Sequence, residues 1–133
     1  DDGNVLDASA IAAVAALKMT KLPVYDKKEG AIKYGELTNE GLPLTKNDPL
    51  MMTFYKIGNS LVFDPIREEE DASESRLTLA ISKPDKDKII NSMQKGGIVS
   101  LTTNDLNKII EEAEKVYDKL FPETDKKIKG LGK

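Results

Sequence analysis

Apolar residues recur at helical spacing over one long stretch: Leu106, Ile109, Ile110, Ala113, Val116, Tyr117 and Leu120. That period predicts a helix over Thr103–Leu120 with one face turned to a core. Thr102 or Thr103 can cap its start, and Pro122 is expected to stop it. Upstream the period changes to two. Arg76–Ser82 reads RLTLAIS, a strand pattern. Met51–Ile57 and Ser60–Asp64 flank Gly58-Asn59, a two-residue hairpin loop in which Gly supplies a positive φ and Asn tolerates one. Pro65 ends the second strand, and Arg67–Ser75 predicts a short helix. After the Pro84-Asp85 turn, Ile89–Gln94 predicts a fourth strand and Gly96-Gly97 a loop. The order over residues 51–121 is strand, strand, short helix, strand, strand, long helix. This predicts an α+β unit whose four-stranded sheet is covered by the long helix.

The first 22 residues follow a different pattern. Val5–Thr20 is rich in the best helix formers, and Pro23 marks its stop. Leu6, Ile11, Val14 and Leu17 are apolar, and alanine fills the remaining faces between Ala8 and Ala16 except at Ser9. A helix apolar all round is normally covered on most sides. The rest of the chain offers too little to surround it, so the helix is expected to stand outside the α+β unit. Ile11, Ala13, Val14 and Leu17 are then candidate interface residues, toward upstream material or a partner subunit. Residues 23–50 carry turn chemistry at Lys27-Lys28-Glu29-Gly30, Asn39-Glu40-Gly41 and Asn47-Asp48-Pro49. They predict a connector in which Val24-Tyr25 and Ala31–Tyr34 pair as an exposed hairpin. Residues 122–133, ending KKIKGLGK, predict a loose basic tail.

Composition narrows the chemistry more than the fold. At 39% hydrophobic and 32% charged over 133 residues, the chain is expected to fold as a soluble domain, with room for part of another. No apolar run is long enough to cross a bilayer, and no signal-peptide pattern opens the chain; the expected setting is cytoplasmic, without a membrane. Cysteine and histidine are absent. That removes disulfides, thiolate metal sites, the commonest general base and the commonest metal ligand. Any catalysis falls to carboxylates, lysine, tyrosine or hydroxyls. A net charge of −3 exerts no global pull on nucleic acid. The Lys/Glu richness fits a thermophile.

The acidic run Glu68-Glu69-Glu70-Asp71, with Asp64 and Glu74 beside it, is the first candidate site. Such carboxylates can hold a divalent cation through oxygen or act as an acid of raised pKa. Consecutive acids more often form a solvated face or the start of a helix, and that is the expectation here. The Gly-containing turn before the Ala-rich helix could hold phosphate on backbone N–H groups. Asp1, Asp2 and Asp7 already put negative charge there, so a capped helix is expected instead. Lys126, Lys127, Lys129 and Lys133 could meet RNA phosphates, but a solvated tail is the commoner outcome. Tyr25, Tyr34 and Tyr55 form no stacking platform, and Tyr117 lies on the core stripe.

The segment DGNVLDASAIAAVAALKMTKLP resembles the DGN-x-x-D-A-x-x-x-A-A-x-A-A-L block of RNase PH-like exosome proteins. KIGNSLVFDP, an acidic loop, a strand, QKGG and a terminal helix follow in that family's order, so the resemblance runs from Asp1 to about Phe121. It is nearest to the non-catalytic RNase PH-like subunit of the archaeal RNA exosome. The resemblance implies an RNase PH C-terminal-like domain at residues 51–121. It makes residues 1–22 the last helix of an upstream ribosomal-protein-like domain, and the chain the C-terminal portion of a longer protein.

Active members of that family carry a Gly-Thr/Ser-Arg phosphate site before this helix. Here Asn4, Val5 and Leu6 fall at those positions, without the hydroxyl or the guanidinium. Active members also carry two aspartates six apart, the second of them catalytic; Glu70 and Arg76 fall there, or Glu74 if the alignment shifts. An arginine stays protonated and can serve neither as general acid nor as metal ligand. The resemblance therefore implies no catalytic, phosphate or metal site and no cofactor in this chain. It implies a ring of six alternating subunits, a catalytic RNase PH-like partner, and RNA reached through the complex, which decays RNA from the 3′ end with phosphate. An active phosphorolytic exoribonuclease and a free-standing interaction domain are the other two readings.

Overall fold

A computed structural model describes residues 2–131. The elements run α1 (Val5–Met19), β1 (Lys21–Asp26), β2 (Ala31–Gly41), β3 (Leu50–Ile57), β4 (Ser60–Phe63), α2 (Arg67–Ala72), β5 (Ser75–Ser82), β6 (Ile89–Gly97) and α3 (Thr103–Leu131). β3 to β6 form one antiparallel sheet in the order β4-β3-β5-β6. The period-two pattern becomes register here: Leu50 stands opposite Ile81, Met52 opposite Leu79 and Phe54 opposite Leu77. Those six share one face, because side chains two apart on a strand point the same way. They form the core with Ile109, Ala113 and Tyr117 of α3. Leu79 and Ile109 are fully buried, and each such side chain contributes roughly 1.5–3 kcal/mol. The rest of the predicted α3 stripe (Leu106, Ile110, Val116 and Leu120) packs around that cluster. The α+β architecture read from the pattern is the one observed.

α3 starts as expected. Thr102 Oγ1 accepts the Asp105 amide at 3.1 Å, and Asp105 accepts the Thr102 amide at 2.9 Å, a reciprocal cap that satisfies two helix-start donors. Its end differs: Pro122 does not stop it, and residues 123–131 are helical rather than a loose tail. A proline inside a helix loses one backbone bond and costs about 3 kcal/mol. Packing on both sides of it offsets that cost: Ile128 is buried beyond it, and Phe121 just before it stacks on Tyr117 at 4.8 Å between centroids. Lys18 of α1 also bridges Asp48 at 2.6 Å and Asp125 at 3.4 Å. Lys133, the last of the expected basic tail, lies outside the described residues.

The Ala-rich helix does not stand apart, and that expectation is corrected. β4 has only four residues, and its ladder with β3 ends at Phe54 opposite Phe63. The Leu50–Thr53 half of β3 is left open on that edge, and α1 lies along it. Ile11 reaches the core from there, and Val14 is half-buried beside Leu50, Phe121 and Ile128. Ala13 and Leu17 sit on the outer face, exposed. The four interface candidates thus divide, two used within the chain and two facing out.

β1 and β2 form a separate two-stranded sheet. The hairpin is longer than expected. Asn39-Glu40-Gly41 belongs to β2 rather than to a turn, because two register shifts absorb the extra residues and Thr38 Oγ1 ties the strands through the Leu22 carbonyl at 2.9 Å. Gly96 and Gly97 extend β6 rather than forming a loop. A Cβ at Gly97, at φ +81°, would lie 2.6 Å from the Glu74 carbonyl oxygen.

Candidate functional site

The starts of α1 and α2 meet on the face of the sheet opposite the core, at Thr53 and Tyr55 of β3. Gly3 makes the meeting possible. Its φ is +103°, and a Cβ there would stand 2.8–2.9 Å from the backbone of Ile66 and Arg67, so only glycine lets the chain pass the start of α2. Asn4 follows in a left-handed conformation. It does not cap α1 with its side chain; its Nδ2 donates to Asp64 Oδ1 at 2.8 Å and its backbone N–H to Glu70 Oε1 at 3.0 Å.

One turn on, Asp7 points inward and is buried. Thr53 lies one residue past the end of the β4 ladder, and its amide donates to Asp7 Oδ2 at 2.8 Å instead of to a strand. The Thr53 hydroxyl donates to Asp7 Oδ1 at 2.7 Å and lies 3.0 Å from the Thr78 hydroxyl. Burial pushes the Asp7 carboxyl above its ordinary value; the Thr53 and Asn4 bonds pull it partly back, and the charge of Asp64 adds to the rise. Asp7 is therefore not the exposed partner of the helix dipole that the sequence suggested. Asp1 lies outside the described residues.

The acidic run also divides. Glu69 turns back to accept the Ile66 amide at 3.0 Å at the start of α2, and Asp71 pairs with Arg67 at 3.3 Å on the surface. Glu70 turns inward, where its Oε1 accepts the Tyr55 hydroxyl at 2.7 Å as well as the Asn4 amide. Burial, then the Glu70 carboxylate, push the Tyr55 phenol up to about 12, so it stays a neutral donor. A solvated face is thus right for Asp71 and wrong for Glu70, because only a helical turn here aims one acid of four at the sheet.

Arg76 stands opposite Tyr55 across the β3–β5 ladder and lies flat on Gly96, where a Cβ would stand 2.8 Å from its Nε. Its Nη1 donates to Thr78 Oγ1 at 3.4 Å. Tyr55, Glu70, Glu74 and Arg76 line one open hollow. So Asn4 is bonded to Glu70, and Glu70 shares the hollow with Arg76, whereas Val5 and Leu6 are exposed, at 48% and 37%. Among the described residues, no group of three or more carboxylates is placed to hold a metal ion, and no helix is long and apolar enough to cross a membrane.

Sequence reasoning missed Asp7, Thr53, Tyr55 and Asp64 as parts of this cluster. One signal was available. Asn4 and Asp7 are three apart and share a helix face, and Thr53 and Tyr55 share a strand face. Chemically, the cluster holds elements together. Each carboxylate in it accepts a hydrogen bond from an ordered donor, Tyr55 is too weak an acid to move a proton near neutrality, and Arg76 is permanently charged.

Residues 49–116 match the family described as the 3′ exoribonuclease family, domain 2. The chain is 35% identical over 127 residues to the exosome complex component Rrp42 of Methanothermobacter thermautotrophicus, covering 96% of this chain and 45% of that one. It is 37% identical to the Rrp42 component of Thermococcus kodakarensis, covering 98% and 46%. The chain thus spans about half the length of the curated relatives it matches. Among solved structures, it is similar to a chain of the Archaeoglobus fulgidus exosome with RNA bound to the active site, at 32% identity and a TM-score of 0.63, covering 90% of this chain and 44% of that one. The family match takes in just over half of the chain, including the whole core sheet and about the first half of α3; the chain belongs to the 3′ exoribonuclease family, through its second domain.

Proposed function

We propose that this chain is part of a non-catalytic RNase PH-like subunit of an RNA exosome. It supports a ring of six alternating subunits and the RNA path through it, while 3′-to-5′ phosphorolysis takes place in the partner subunit. The similarity to Rrp42 exosome components supports membership of the complex. The observation that carries the non-catalytic part is the cluster around Glu70. The resemblance aligns Asn4, Val5 and Leu6 with a phosphate grip. Here one of the three ties α1 to α2 through Asp64 and Glu70, and the other two are exposed hydrocarbon. It aligns Glu70 and Arg76 with two acids. Here the first is held by Tyr55 and Asn4, and the second is a cation that can neither give a proton near neutral pH nor ligate a metal.

The test is incubation with single-stranded RNA, inorganic phosphate and Mg²⁺, for this chain and for the complete subunit, each alone and with the catalytic RNase PH-like partner. Nucleoside diphosphate release is expected only when the partner is present. Release that tracks the pure complete subunit would overturn the non-catalytic reading. Failure of the complete subunit to join the partner in a single sedimenting species would overturn the ring reading.

A further inference from the structure

Residues 123–131 carry α3 past Pro122, and their hold on the rest of the chain is thin. Pro122 has no amide to give the Asp118 carbonyl, so the helix is weakened where this segment begins. Gly130 weakens its last turn. The inward stripe is Thr124, Asp125 and Ile128; the first two are half-buried and only Ile128 is buried. Under the stripe lies a cavity of about 20 Å³ bordered by Ile11, Val14, Thr124 and Ile128, room for about one water. Thr124 also borders a hollow of about 260 Å³ that runs along Leu50 and Met51 at the open edge of β3. It thus stands in the wall between the two spaces.

The charges at the seat are arranged for release. Lys18 holds Asp48 at 2.6 Å and reaches Asp125 only at 3.4 Å. Asp125 in turn holds Lys129, within the same segment, at 2.5 Å. Lifting the segment breaks the longest of these three contacts. Lys18 keeps Asp48 and Asp125 keeps Lys129, so no charge is stranded. Each of the four side chains is 21–71% exposed, and pairs this open to water hold little.

We propose that residues 123–131 form a lid hinged at Pro122, closed here over the groove between α1 and the open edge of β3, which lifts as one unit while residues 103–121 stay on the sheet. Opening joins the cavity to the hollow and uncovers the sides of Ile11 and Val14 that Ile128 now covers. A helix of nine residues is marginal in water by itself, so the lifted lid unwinds. Ordinary fraying differs, since it proceeds residue by residue from the end. The lid rests on the far end of α3 alone and is independent of the ring reading.

Residue-resolved amide exchange of the 133-residue chain tests it. The amides of residues 126–130 are expected to share one opening factor, from an open state populated at roughly 0.1–10%. Those of Ile109 and Ala113 should exchange at least about tenfold more slowly. Pro122→Ala restores the missing backbone bond and should slow exchange at 126–130 at least about tenfold. Ile128→Ala should speed it at least about tenfold and change Ile109 less. Asp48→Asn leaves Lys18 with Asp125 alone, so it should slow exchange at 126–130 about two- to fivefold, although it removes an ion pair. Exchange that rises steadily from residue 126 to 130 would show fraying and overturn the lid. So would exchange at 126–130 as slow as at Ile109, or no response to Pro122→Ala. Faster exchange in Asp48→Asn would overturn the swap of partners. Should Ile128→Ala not fold, Pro122→Ala and Asp48→Asn decide.

Discussion

α1 and α3 both cover β3, and they do so by different physics. α3 lays an apolar stripe on the apolar face of the sheet, with Ile109 and Ala113 fully buried. α1 lies along an open strand edge, and its most buried side chain is a carboxylate, Asp7 at 5% exposure. A stripe spreads its stabilisation over many side chains. An edge needs its backbone donor satisfied, and one acid in the right place does it. The first attachment depends on the volume buried; the second depends on one hydrogen-bonded group.

The largest effect is expected where the stripe is deepest. Ile109→Ala empties a site with no exposure and should cost roughly 2–5 kcal/mol, depending on how far the core collapses. Chemical denaturation measures it; an unchanged midpoint would mean that α3 docks elsewhere. Asp7→Ala should cost less, about 1–3 kcal/mol, as the price of leaving the Thr53 amide and hydroxyl without a partner. Hydrogen exchange at Thr53 should accelerate while that at Leu79 changes less. Equal acceleration at both would show that α1 and α3 unfold as one unit.

The two attachments also answer pH with opposite sign. Asp7 has a raised carboxyl, so the folded state holds its proton more tightly than the unfolded chain does. Its contribution is complete below the ordinary value of 3.8 and is lost as pH rises through the raised value. Asp105, at the start of α3, is lowered to about 2 by the Lys56 ammonium and the Thr102 bonds. Its contribution is present above 3.8 and lost as pH falls toward 2. Asp7→Asn should therefore flatten the downward slope of stability above pH 3.8 and leave the acid limb in place. A slope unchanged by Asp7→Asn would place the titration in another group.

The contrast also explains what was legible in the sequence. The sheet and α3 could be read because burying a face imposes a period, and a period survives in one dimension. The continuation past Pro122 could not, since Ile128 and the Lys18–Asp125 pair act across distant parts of the chain. The docking of α1 was hidden for a similar reason. It turns on β4 being four residues short of covering β3, and no local pattern announces a vacant amide at Thr53. At the candidate site, the resemblance pointed to Asn4, Glu70 and Arg76; the fold bonds Asn4 to Glu70 and sets Glu70 and Arg76 around one hollow. The places of Asp64, Thr53 and Tyr55 in the cluster were not legible, because their hydrogen bonds to Asn4, Asp7 and Glu70 span 60, 46 and 15 residues.

Tyr55→Phe probes the polar side more gently. It removes one hydrogen bond to Glu70 and keeps the ring, so the expected loss is about 0.5–1.5 kcal/mol. Glu70 retains the Asn4 amide, which holds α2 near its place. A loss as large as that of Asp7→Ala would move the centre of the joint from Asp7 to Glu70.

The smallest effect is expected on the outer face of α1, and its size depends on what else is present. Ala13 is exposed there, and Val5, Leu17 and Met19 are each 48% exposed on the same helix. In the 133-residue chain a glutamate at position 13 meets water, so Ala13→Glu should change stability by no more than about 0.5 kcal/mol. The relatives are about twice as long as this chain, and in a chain of that length an upstream portion resting on α1 would cover the same position. An unpaired carboxylate is heavily penalised in an apolar contact, so the identical substitution should then cost several times more. Circular dichroism melts of both lengths, with and without the substitution, give the four values needed. A cost that is small in both would leave the outer face uncovered in either. A large cost in the short chain alone would mean that α1 already buries Ala13 against a second copy, and the division between an internal and an external face of this helix would fail.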